Sequence, residues 1–179
     1  MPANTPSQTG TITLTPAIDA AVRELCAEAG AVLIEAVVRG SHERRIVELY
    51  VDKPDGISLD ECGTLSERVG ELLEAKNAFP AAYRLEVSSP GVSRSLQYSW
   101  QYTRNTGRLL TLQRTSGETV KGRISTVLND AERGEVLVLD APKATISKTA
   151  AKKAAAGGIL FPLEIPLHEI QSAVVEVEF

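Results

Sequence analysis

The chain has 179 residues, 43% of them hydrophobic and 23% charged, ordinary for a soluble globular protein and enough for one large or two small domains. A net charge of −4 argues against a general nucleic-acid coat, because such binding runs on phosphate neutralisation, and an aromatic share of 4% argues against an extended base-stacking surface. The charge is uneven: residues 1–97 hold 9 Lys/Arg against 14 Asp/Glu, a net of −5, and residues 98–179 hold 10 against 9, a net of +1. The acidic half suits a basic protein surface, and the other half better tolerates RNA.

Residues 1–14 read as a polar, disordered tail rich in Pro, Thr and Ser. They carry no basic region followed by an apolar run, and no stretch of the chain approaches the ~18 apolar residues of a bilayer span, so a cytoplasmic protein is expected. Thr15-Pro16 opens a helix, as N-cap and first helical residue. Ile18, Ala21, Val22, Leu25, Cys26 and Ala29 keep the helical spacing of one buried face, and Gly30 is placed to end it. Ala31–Arg39 and Arg44–Asp52 read as strands joined by a turn at Gly40-Ser41-His42. Pro54-Asp55-Gly56 breaks the second strand, and Ser58 with Glu61 forms a capping box. The helix that follows buries Leu59, Cys62, Leu65, Val69, Leu72 and Leu73. Both cysteines lie on these apolar stripes with no C-x-x-C pair, as small buried hydrophobes of a reducing compartment. Tyr83–Ser88 is a third strand. Residues 15–92 thus make an α-β-β-α-β domain of KH-like or ferredoxin-like layout, without the G-x-x-G loop that clamps single-stranded RNA.

The strand ends in Ser88-Ser89-Pro90-Gly91, a stiff turn with Arg94 just beyond it. Pro90 fixes its own φ and Gly91 is free to take a positive one. This is either a joining turn with one solvated arginine or a platform for an anion such as phosphate. Past residue 93 the period becomes that of strands: Gly107–Gln113, Thr119–Leu128, Glu135–Asp140, Ile159–Ile165 and Ala173–Phe179, with one helical turn at Pro166–Gln171. Five short strands and a one-turn helix fit a small closed SH3-like or Sm-like β-barrel over residues 93–179. Residues 141–158 interrupt it with a low-complexity, mobile insertion carrying Lys143, Lys148, Lys152 and Lys153 and no acid. Its alternatives are a solvated insertion and an electrostatic tether to RNA, where four phosphate contacts would add about three to four units of log–log salt slope.

Chemistry is sparse. His42 and His168 lie near no serine in a catalytic context, and Gly91-Val92-Ser93-Arg94-Ser95 starts like a nucleophile elbow but lacks its final glycine. No phosphate-loop or dinucleotide fingerprint occurs. Asp52, Asp55, Asp60 and Glu61 do not have the spacing of a calcium loop and read as a solvated turn plus helix N-terminal charge. Arg44-Arg45 is either edge protection or a rim contact. No catalytic residue, metal or cofactor is expected.

Tyr83–Leu96, YRLEVSSPGVSRSL, resembles the signature of the bacterial ribosome maturation factor RimP family, with Ser95 where the family usually has Pro. An aromatic–x–Arg–x–x–Gly pattern follows at Tyr102, Arg104 and Gly107, and IPLHEIQSAVVEVEF resembles the family's closing strands. The resemblance covers most of residues 15–179. It implies an α/β domain paired with an Sm-like barrel, and a non-enzymatic factor for maturation of the small (30S) ribosomal subunit. Its partners would be the immature particle, as ribosomal RNA and a basic decoding-centre protein, bound transiently by a monomer. The contact residues expected are Ser88, Ser89, Pro90, Gly91 and Arg94, with Arg104 and Arg108 at the start of the barrel and the four insertion lysines. The alternative is an Sm-like RNA-binding module of another role, assembling as a ring.

Overall fold

The computed structural model describes residues 13–41, 44–142 and 161–178. It divides into two compact units, Met1–Pro90 and Gly91–Phe179. The first holds α1 (Pro16–Glu28), β1 (Val32–Arg39), β2 (Arg45–Asp52), α2 (Leu59–Ala75) and β3 (Tyr83–Ser88). Pro16 sits at the start of α1 after an extended Thr15, which makes no side-chain cap. The helix closes one residue before the expected glycine. Gly30 follows the C-cap at φ +69°, while its own N–H reaches Ala27 O and that of Ala31 reaches Cys26 O, the paired bonds of a Schellman ending. Helix α2 opens on the expected capping box and ends the same way, with Asn77 in the left-handed position.

The sheet order is β1-β2-β3, with β1 antiparallel to β2 and β3 parallel to it, so α2 is the crossover of a β-α-β unit. Both helices bury their apolar stripes in one core, where Ile18, Val22, Cys26, Leu65, Val69 and Leu73 meet Leu33, Val38, Val47, Leu49 and Val51. Leu14, the last residue of the expected tail, is buried there too. Burial lifts the Cys26 thiol to about 11 and raises that of Cys62, which keeps both protonated.

The second unit holds α3 (Ser99–Arg104), β4 (Leu109–Arg114), β5 (Thr119–Asp130), β6 (Gly134–Asp140), β7 (Leu163–Pro166), a 3-10 turn (Leu167–Glu169) and β8 (Ile170–Val175). The strands form one antiparallel sheet in the order β7-β6-β5-β4-β8. Leu110, Leu112, Val120, Ile124, Leu137, Leu139, Ile165 and Ala173 fill its core. Helix α3 was not expected from the sequence, and the last strand begins at Ile170, three residues earlier than its apolar run suggests. The four insertion lysines and His42 lie outside the described residues.

Candidate functional site

The motif that dominates the sequence is divided by the fold. Ser88 closes β3 opposite Tyr50, and Ser89 is exposed while Pro90 is buried. Gly91 takes φ +62° with open space where a Cβ would stand, so backbone freedom and not close approach is what the position demands. Arg94, half-buried, belongs to the second unit. Ser95 has a structural task. Its Oγ accepts the Ala173 N–H at 2.8 Å, and the next residue donates its own N–H to Ala173 O at 2.8 Å. The segment is thereby tied to β8 by a bond that a proline at 95 could not form.

Helix α3 carries the next candidates. Six residues are too few to be helical on propensity alone. The buried Gln101 side chain supplies the support, accepting the Gln97 and Tyr98 N–H groups at 2.8 and 3.1 Å. Tyr102 plugs into the sheet core, donates its hydroxyl to Leu96 O at 3.3 Å, and has its phenol pushed up to about 12 by burial. The opposite side of the helix bears a stack: the Tyr98 and Trp100 rings lie 5.7 Å apart and 15° from parallel, and the Arg104 guanidinium sits 5.3 Å from the Trp100 centroid. Arg108 lies beyond the end of α3 and donates to Asn105 Oδ1 at 3.0 Å. Arg104 is thus held by Trp100 and Arg108 by Asn105, in and just after α3. The stack was missed, although Tyr98, Trp100 and Arg104 at i, i+2 and i+6 were readable once a helix was granted.

Other cations of the second unit are engaged within it. Arg114 holds Glu118 and Glu169 at 3.1 and 2.5 Å, and Lys121 holds Glu176 at 2.5 Å. Arg123 grips both oxygens of Glu178 at 2.8 and 2.9 Å while donating to Gly107 O at 2.6 Å. Arg133 joins Asp130 and Glu164, each at 2.8–2.9 Å.

The first unit also pairs charges, at Arg23–Asp19, Arg39–Glu48, Lys53–Glu61 and Arg68–Glu28, and in addition brings three cations together at one end of its sheet. Arg44, Arg45 and Arg84 surround a hollow of about 300 Å³ with Ile46, Ala82 and Tyr83. The parallel register, Arg45 opposite Tyr83 and Ile46 opposite Arg84, brings residues forty positions apart to one end of the sheet. Arg45 lies 5.1 Å over the Phe79 ring, and Arg84 touches Glu86 at 2.9 Å. Among the described residues one carboxylate, that of Glu86, pairs with any of these three guanidiniums, and a guanidinium so placed suits a phosphate oxygen. Arg84 was not among the sequence candidates, since nothing in the chain announces the parallel pairing.

Glu61 stands as expected, but two readings change: Leu59, expected on the buried stripe of α2, is 87% exposed, and Asp52 is buried. Asp52 is not in a solvated acidic run: it is 1% exposed, and its Oδ1 accepts the Lys53 N–H at 2.9 Å. Glu61 serves the capping box, accepting the Ser58 N–H at 2.8 Å and its hydroxyl at 2.9 Å, and pairs with Lys53. The Lys53 and Ser58 bonds hold its carboxyl at about 2. Among the described residues no three His, Cys, Asp or Glu converge as metal ligands, and no helix is long and apolar enough to cross a membrane.

Comparison with known proteins agrees with the motif. Residues 21–93 match the RimP N-terminal domain. The chain is 34% identical over 148 residues to the ribosome maturation factor RimP of Cytophaga hutchinsonii, covering 82% of this chain and 86% of the relative. It is 35% identical over 157 residues to the protein of the same name from Chlorobium limicola, covering 83% and 85%. Identity at this level over more than four-fifths of the chain places it in the RimP family.

Proposed function

We propose that the protein is a non-enzymatic maturation factor of the small ribosomal subunit, binding the immature 30S particle transiently in the cytoplasm as a monomer. Family membership carries this reading. The charge layout supports it: Arg44, Arg45 and Arg84 offer one phosphate site, and Arg104 and Arg108 each offer a further cation on a different unit. Two modest contacts on one chain gain effective concentration for each other. Lys143, Lys148, Lys152 and Lys153 add further charge for ribosomal RNA, and the acidic first unit suits a basic ribosomal protein. The α-β-β-α-β order favours the KH-like or ferredoxin-like description of the first unit. In the second, β4 beside β8 and a 3-10 turn before the last strand favour the SH3-like or Sm-like barrel. Both cysteines are buried and their thiols held protonated, which fits a factor that works by binding.

Such a factor acts by differential affinity, holding the unfinished particle more tightly than the finished one. Co-sedimentation with immature and mature small subunits across a salt range tests this. Preferential pelleting with the immature particle is expected. Arg44→Glu with Arg84→Glu should lower it about tenfold or more, and Arg94→Ala by less, with melting temperatures within a few degrees. Equal affinity for both particles would overturn the reading. Light scattering separates it from the ring-forming module, for which a hexamer would be required.

A further inference from the structure

Strand β3 is a sheet edge: among the described residues it pairs with β2 alone. Its backbone N–H and C=O groups that point away from β2 make a row ready to receive another extended segment. Helix α2 lies beside that edge. Together they wall a groove of about 640 Å³, lined by Glu67, Gly70, Glu71, Glu74, Tyr83 and Leu85 among others. Gly70 keeps the floor open, since a Cβ there would meet only Leu85 Cδ2, at 4.0 Å.

Glu67, Glu71 and Glu74 follow the i, i+4, i+7 spacing of one helix face, and all three are exposed. None of the three side-chain carboxylates shares an ion pair or hydrogen bond with another described residue. Like charges one turn apart repel, so this row works mildly against its own helix. The helix gains nothing from it, and a cationic partner would.

We propose that this groove takes an extended Lys/Arg-rich segment of a partner polypeptide, added beside β3 as a fourth strand with alternate side chains reaching the three carboxylates. The spacing is near: alternate residues of a strand lie ~6.7 Å apart, and helix positions four and three apart rise ~6 Å and ~4.5 Å, a difference that a flexible lysine stem spans. A second copy of this chain would set one carboxylate row against another, and RNA would meet repulsion. The open edge and the carboxylate row stand whichever particle the protein serves.

The test titrates the full chain with two fluorescein-labelled nine-residue peptides of identical composition, followed by anisotropy and by amide shifts. One alternates lysine and threonine; the other carries its lysines in a block. The alternating peptide should bind at least fivefold tighter and shift the amides of Tyr83–Ser88. E67Q/E71Q/E74Q should weaken it at least tenfold while thermal stability holds or rises. Gly70→Leu, which fills the floor without changing charge, should do the same. Equal affinity for the two peptides would reduce the groove to a diffuse charged patch and overturn the proposal. So would unchanged binding by either variant, oligouridine shifting the same amides, or concentration-dependent dimerisation through β3.

Discussion

In the second unit, Arg114 lies between Glu118 and Glu169, and Lys121 and Arg123 hold Glu176 and Glu178 across the sheet. In the first unit, Glu67, Glu71 and Glu74 stand in a row without cations, and Arg44, Arg45 and Arg84 gather around a hollow. Exposed ion pairs contribute little each, about 0–1 kcal/mol, but they neutralise the surface they cross. Segregated charge does the reverse: it costs some stability and leaves a field that a partner can use. Where a charge finds its counter-ion in the fold, it serves the fold. Where like charges are collected on one face, recognition is the better account. By that criterion the two collections of like charge in the first unit are what a binding test should address first, although its Arg23, Arg39, Lys53 and Arg68 are paired much as the cations of the second unit are.

The comparison presumes that each unit has its own core, and core truncation is the strongest way to break it. Leu110 and Leu73 are both buried, one in each unit. Either one changed to Ala should cost about 2–5 kcal/mol. Trp100, the chain's single tryptophan, reports on the second unit, while α1 and α2 dominate the helical circular dichroism. Leu110→Ala should lower the fluorescence transition and spare the helical one, and Leu73→Ala should do the opposite. If either substitution moved both transitions equally, the units would share one cooperative fold.

Two glycines sharpen the contrast with opposite signs. A Cβ on Gly122 of β5 would stand 3.0 Å from Leu139 Cβ and 3.2 Å from Asp140 O, so Gly122→Ala should destabilise by about 1–3 kcal/mol. Gly70 of α2 has only Leu85 Cδ2 within reach, at 4.0 Å, so Gly70→Ala should stabilise by about 0.5–1 kcal/mol through helix propensity. Matched thermal melts of the two variants check both signs.

Much of this layout was legible in the chain. Thr15-Pro16 and Ser58-x-x-Glu61 mark the helix starts by chemistry that acts within one turn, and alternation in Arg45–Asp52 and Tyr83–Ser88 marks strands. What escaped depends on contacts between distant residues. Helix α3 has no apolar period of its own and stands on Gln101 and Tyr102 reaching into neighbouring backbone and core. Asp52 looked solvated because its neighbours Asp55 and Asp60 are exposed, while its own position at the end of β2 is buried. The Arg44, Arg45 and Arg84 cluster needs the parallel β2–β3 register, and the open edge beside Glu67, Glu71 and Glu74 needs the strand order. Neither is encoded in a local pattern. The Ser88–Arg94 turn was the loudest local signal, and it identifies the family better than it locates a binding surface.

Ser95 offers a smaller effect. Ser95→Ala leaves the part-buried Ala173 N–H without its 2.8 Å acceptor, at a cost of about 1 kcal/mol. The fluorescence transition should fall while the helical one stays, and the Ala173 amide should exchange faster. Ser95→Pro, the residue usual in the family, lacks the acceptor too. It should behave like the alanine variant unless the stiffer backbone compensates, and the Ala173 exchange rate measures the lost bond directly.

Acid should expose the smallest difference. Glu61 in the first unit is held at about 2 by its bonds to Lys53 and Ser58, and Asp130 in the second is held at about 2 by Arg133 and the backbone N–H groups of Arg133 and Glu132. Both values lie below those of the unfolded chain, so each carboxylate stabilises fully above its unfolded pKa and loses that support as pH falls through the folded one. For Glu61 the window runs from 4.5 to about 2, and for Asp130 from 3.8 to about 2. The helical transition should therefore weaken first as pH drops below about 4.5, with the fluorescence transition following. Glu61→Gln should flatten the acid limb of the helical transition alone, because it removes the titrating group without touching the second unit. An unchanged limb in that variant would show that other carboxylates govern the acid sensitivity of the first unit.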